Sequence, residues 1–150
     1  MRFSRRLVRI GASSAYWLRR LGLGLLGIRR AGVHAVPVTG EGQVVLVQLT
    51  YAPGWRIPGG GRGRREDPEA AVLRELREEI GLAGHGRVTR VSRDPAELGD
   101  IFLVEDVVCR PRRTLEIEAV GLFDPAALPE DVLPAARREI EAALAAPRKA

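Results

Sequence analysis

Gly60-Gly61-Arg62-Gly63-Arg64-Arg65-Glu66-Asp67-Pro68-Glu69-Ala70-Ala71-Val72-Leu73-Arg74-Glu75-Leu76-Arg77-Glu78-Glu79-Ile80-Gly81-Leu82 runs from a glycine- and arginine-rich segment into an amphipathic one. The second half carries the signals of a helix at both ends. Asp67 can cap it, Pro68 suits its first turn, and Glu66 and Glu69 favour its positive end. Gly81 ends it. At about 100° per residue, Leu73, Leu76 and Ile80 share one face and are expected to meet the core. Glu75, Glu78 and Glu79 share another, with Ala71 one turn earlier predicted to leave open space above them. Like charges at these spacings cost a few tenths of a kcal/mol per pair. A cation bound among them would remove that cost. An all-oxygen donor set of this kind selects a hard divalent ion, Mg2+ with Mn2+ as a substitute.

The first half supplies the opposite charge. Glycines let the backbone approach a ligand closely. Arg62, Arg64 and Arg65 would attract phosphate groups. The segment is not a Walker loop, because no Gly-Lys-Ser/Thr follows the glycines. From Pro58 to Arg65 it is predicted to be irregular.

Working outward, Val33–Val38 and Gln43–Leu49 read as strands joined in a hairpin by Thr39-Gly40-Glu41-Gly42. Tyr51–Gly54 reads as irregular. After the helix, Val88–Val91, Ile101–Cys109 and Glu116–Phe123 read as strands, Pro129–Pro134 as a loop and Ala135–Ala145 as a closing helix. That order predicts an α/β fold, a mixed sheet with helices on both sides.

Gly60, five residues, Glu66, seven residues, then Arg74-Glu75-Leu76-Arg77-Glu78-Glu79-Ile80-Gly81-Leu82 resembles the Nudix box without a gap. Seven positions agree in residue, which chance produces once in ~10⁸ starting points at usual residue frequencies. Trp55-Arg56-Ile57-Pro58-Gly59-Gly60 resembles the segment that precedes the box. Glu116-Ile117-Glu118 with Leu122-Phe123 looks like the family's late strand.

The resemblance implies an α/β/α sandwich and a metal-dependent hydrolase that cleaves a nucleoside diphosphate linked to another moiety. It implies that Glu75, Glu78 and Glu79 and the carbonyl of Gly60 hold Mg2+, with the glutamates catalytic and Glu75 a candidate base. It implies that Arg74 braces that set, that Glu66 joins the bracing or makes an outer metal contact, and that Glu116 or Glu118 adds a ligand or the base. Arg56, Arg62 and Arg64 become the candidate substrate contacts. One stretch departs from the family: where an aliphatic residue, an acid and a final glycine are usual, this chain has Arg62, Gly63 and Arg65. The alternative reading is a catalytically quiet module that keeps the fold and senses a ligand or binds RNA.

The 150 residues suit one domain, with 45% hydrophobic and 29% charged residues, a soluble composition. Cys109, the single cysteine, cannot form an internal bridge, which points to a cytoplasmic protein; it reads as a strand residue rather than a nucleophile. His34 and His85 are too far apart in sequence to suggest zinc. Trp55 reads as packing beneath the loop rather than stacking on a base, and Phe102 and Phe123 read as core. Arg110-Pro111-Arg112-Arg113 reads as a solvated turn, so nucleic acid is disfavoured as a partner.

The net charge of +5 is unevenly placed: residues 1–40 contain eight arginines and no acid, leaving the remainder net negative. Residues 1–30 read as a basic amphipathic N-terminal helix, separate from a hydrolase domain at 31–150. Its apolar side, with Leu7, Trp17, Leu21 and Ile28, is expected to dock on the domain or on a second copy in a homodimer. The other reading lays it on an anionic membrane surface. Its longest apolar run, Leu21–Ile28, is too short to span a bilayer.

Overall fold

The computed structural model describes residues 32–94, 99–112 and 114–147. The chain runs β1 (Gly32–Pro37), β2 (Val44–Leu49), β3 (Ala52–Arg56), β4 (Gly59–Gly61), α1 (Pro68–Ile80), β5 (Leu82–Gly84), β6 (Val88–Asp94), β7 (Gly99–Val104), β8 (Val108–Cys109), β9 (Ile117–Phe123), a 3₁₀ turn (Pro125–Ala127) and α2 (Pro134–Ala145). One sheet has the order β4-β1-β7-β6, with β1 and β7 parallel. A second has the order β3-β2-β9, all antiparallel. β5 and β8 form a small ribbon.

The strands alternate between two covered faces, which explains why they read as near-continuous apolar runs. Val33 and Ala35 of β1, Val45 and Val47 of β2, and Phe102 and Val104 of β7 pack with Val72, Leu76 and Ile80 of α1. Val36, Val44, Leu46 and Leu103, on the opposite face, pack with Ala136, Ile140 and Ala143 of α2. The result is the expected α/β/α sandwich. Each fully buried aliphatic side chain contributes about 1.5–3 kcal/mol to it. Trp55 packs against the α2 core, edge-on to Phe123 with ring centroids 4.8 Å apart. Phe102 is core, and Cys109 lies half-buried on β8, where burial raises its thiol pKa.

Several expectations need correction. β1 and β2 do not pair as a hairpin, although Gly42 does close a turn onto the carbonyl of Thr39 at 2.9 Å. They meet at one bridge, Val38 to Val44, and then enter different sheets. β1 already has β4 on one edge and β7 on the other, so it has no edge left for β2.

The segments around Pro53 and Pro58 are not wholly irregular. Ala52–Arg56 pairs with β2 across a bulge, and Gly59–Gly61 pairs with β1. The predicted strand Ile101–Cys109 breaks at Asp106, whose φ of 52° interrupts the extended run, so that β8 leaves the sheet for β5.

Ala71 does not border open space; it is fully buried in the α1 core. The acidic face of α1 turns into the core at its N-terminal end. Leu73 is only partly buried, its place deeper in the core being taken by Val72. The predicted N-terminal helix lies outside the described residues.

Candidate active site

The helix ends form as the sequence implies. The Asp67 carboxylate accepts from the Ala70 amide at 3.0 Å, and Gly81 closes α1 at φ 64°. A side chain at Gly81 would overlap the Arg110 carbonyl, so glycine is required there sterically as well. The rotational setting of α1 comes from its packed face, on which Val72, Leu76 and Ile80 are buried against the sheet.

Two contacts define how α1 meets the glycines of β4. The Gly59 amide donates to Glu79 Oε2 at 2.8 Å. A β-carbon on Gly60 would overlap the carboxyl group of Glu75. Glycines 59 to 61 thus form a short edge strand whose backbone lies directly against two acidic side chains of α1. Glycine is also needed at 59 on the other side, where a β-carbon would overlap the Val33 carbonyl.

Arg74 ties the loop to the helix. Its Nε and Nη2 donate to Glu66 at 2.9 and 3.1 Å, and Nη2 also donates to the Gly61 carbonyl at 3.0 Å. Its Nη1 donates to Glu75 Oε1 at 2.8 Å and reaches Glu78 Oε1 at 3.5 Å. Glu66 in turn accepts from the Gly63 amide at 2.8 Å. The Glu66 hydrogen bonds do most to raise the Arg74 pKa, with Glu75 adding to them, so the guanidinium stays charged.

Glu75 is 8% exposed, Glu79 partly buried, and the Glu78 side chain 59% exposed. Burial pushes the Glu79 pKa up to about 8; the Gly59 amide opposes this, and the charges of Glu75, Glu116 and Glu78 add to it in that order. Glu116, on the exposed lead into β9, therefore lies within electrostatic reach of Glu79. Glu118, also exposed, lies within β9.

The donor set fits a hard divalent cation: oxygen ligands, mutually repelling carboxylates and a glycine backbone with no side chain in the way. Among the described residues, however, no three acidic, histidine or cysteine groups already converge on one point. Glu75 is paired with Arg74 and Glu79 with the Gly59 amide. Each of these contacts uses one carboxylate oxygen, and a carboxylate can accept such a bond on one oxygen while holding an ion with the other, so the pairings are compatible with a bound ion.

The three arginines expected at substrate lie in different settings. Arg56 Nη2 donates to the Pro53 carbonyl at 2.9 Å, while its Nε is buried without a hydrogen-bond partner. Arg62 Nη1 lies 3.9 Å from Asp100 Oδ2. Arg64 is exposed. Two residues that contact these elements were not singled out from sequence. Gly59 acts through its amide, which no side-chain motif reveals. Asp100 is an acid at the head of the apolar run Ile101-Phe102-Leu103-Val104, a signal that a buried charge sits there.

Comparison with known proteins agrees with this architecture. The NUDIX domain family model matches residues 28–144. An RNA pyrophosphohydrolase from Gluconacetobacter diazotrophicus is 43% identical over 61 residues, covering 35% of this chain and 36% of that protein. One from Pseudomonas aeruginosa is 38% identical over 65 residues, covering 43% of this chain and 41% of that protein. The chain thus matches well under half the length of these curated relatives. The crystal structure of a MutT NUDIX hydrolase from Burkholderia pseudomallei superposes with a TM-score of 0.61 at 28% identity, over 75% of this chain and 95% of that one. With a family model spanning most of its length and a solved member sharing its fold, the chain belongs to the Nudix family.

Proposed function

We propose that this protein is a Nudix diphosphohydrolase, using Mg2+ to cleave a diphosphate linkage in a nucleotide or nucleotide-like substrate. The observation that carries this reading is the contact of the glycine strand with Glu75 and Glu79 of α1. That contact brings side-chain-free backbone beside acidic residues, which supports a site for a metal-bound diphosphate. Family membership and the pyrophosphohydrolase relatives support the reaction class.

In this reading Glu75, Glu78 and Glu79, with the Gly60 carbonyl, hold the ion. A divalent cation there would supply Lewis-acid polarisation of the diphosphate and lower the pKa of an attacking water. Glu75 accepts the water's proton. Arg74 keeps Glu75 and Glu78 aligned and carries the charge of Glu66. Glu116 adds negative charge from the β9 side. Arg56, Arg62 and Arg64 bind the substrate's phosphates or its attached group.

The test is a panel of nucleoside triphosphates, nucleotide sugars, dinucleotides and 5′-triphosphorylated RNA, with and without magnesium, in heavy-oxygen water. RNA is included because relatives carry that name. The expected result is magnesium-dependent cleavage with label on phosphorus. Ligand binding without turnover across the panel would favour a quiet sensing module instead.

A further inference from the structure

Asp100 stands apart from the glutamate cluster and the box does not explain it. It is 5% exposed, at the start of β7. Gly60 pairs with Val33 on β1, and Val33 pairs with Asp100 on β7. The three therefore form one row across the sheet, facing α1. Two guanidiniums approach the same carboxylate oxygen: Arg90 at 3.6 Å and Arg62 at 3.9 Å. Arg90 also lies over the Phe102 ring, 5.4 Å from its centroid.

Arg62 directly follows the glycine strand that meets Glu75 and Glu79. Its side chain is 26% exposed, so it is neither buried nor free in solvent. A long arginine on a loop loses considerable rotamer entropy when it grips a ligand. A carboxylate 3.9 Å away, an ion pair beyond hydrogen-bond distance, biases its position and reduces that loss. The two guanidiniums near this carboxylate carry the charge and the donors that a phosphate needs.

We propose that Asp100 is a positioning residue, which holds the Arg62 guanidinium beside the glycine strand so that it binds a phosphate of the substrate. Asp100 acts through Arg62 and does not touch the substrate. The inference rests on the reading of the glycine strand as the phosphate-binding surface.

The probe is inorganic pyrophosphate with magnesium, its binding to the full chain measured by calorimetry for wild type, Arg62→Ala, Asp100→Asn and the double variant. Thermal melts establish that each is folded. Both single variants are expected to weaken pyrophosphate binding at least about fivefold, and the double variant no further than Arg62→Ala alone, the non-additivity of residues acting as one unit. Should Asp100→Asn not fold, Asp100→Glu keeps the charge but moves it by one methylene, and the same non-additive weakening is expected of it.

A folded Asp100 variant that binds like wild type overturns the proposal. So does an Asp100 effect that adds in full to that of Arg62→Ala, or a wild type that does not bind pyrophosphate. Failure of the enzymatic reading looks different: no substrate in the panel is turned over, while the coupling of Asp100 and Arg62 on pyrophosphate persists. For a substrate that is turned over, the variants are expected to raise KM and leave kcat within about twofold, the pattern of lost ground-state binding.

Discussion

The carboxyl group of Glu75 occupies the space that a side chain on Gly60 would need. The glycine strand and the acidic helix are therefore interdependent: the second glycine is small so that the first glutamate of the cluster can lie over the backbone.

Gly60→Ala is expected to push Glu75 aside and lower turnover by at least about tenfold, a cost typical of misplacing a group at the reacting centre. The obstructed atoms end a flexible side chain, so the fold should survive with a melting temperature lowered by only about 2–4 °C. Steady-state kinetics beside a thermal melt checks this. Unchanged turnover would show that Glu75 is not needed where it lies.

Glu78→Gln and Glu79→Gln should each lower turnover by about a hundredfold or more while the circular dichroism spectrum stays native, because each keeps its shape and loses the charge that a cation requires. Wild-type rates in both at saturating magnesium would remove them from the site.

Folding raises the proton affinity of Glu79, so between about 4.5 and 8 the folded chain retains a proton that the unfolded chain has released. The stability this contributes is full below the ordinary carboxylate range and is lost as pH rises to about 8. The melting temperature of metal-free protein should therefore carry a falling component across that window, absent in Glu79→Gln. Magnesium, which favours the deprotonated form, should offset it. Identical pH profiles for the two proteins would refute this.

Arg74→Lys retains the charge but not the fork that reaches Glu66, Glu75, Glu78 and the Gly61 carbonyl together. Turnover should fall by about tenfold or more, and the melting temperature by about 2–4 °C for a net loss near 1 kcal/mol. A lysine variant matching wild type in both would mean that the ion pairs are incidental.

Much of this was legible in the residues themselves. Asp67, Pro68 and Gly81 mark the ends of α1 through local backbone chemistry, and the spacing of Glu75, Glu78 and Glu79 places them on one side of it. Helix periodicity and capping act within a few residues of chain, so sequence carries them in full. Pairing does not work that way. That β1 would abandon β2 for β4 and β7 depended on which edges were already taken. The turn at Asp106 likewise shows its consequence, the departure of β8 to join β5, only in the folded chain. Ala71 looked exposed on a wheel and proved buried, because a wheel shows which residues share a face but not what covers it. The Gly59 amide met Glu79, and Asp100 met Arg62 and Arg90, only once distant strands had been brought side by side. Sequence alone determined the helix, its acidic cluster and the family they belong to. The tertiary structure decided which backbone and which second charges surround that cluster, since those contacts join residues that the chain itself keeps far apart.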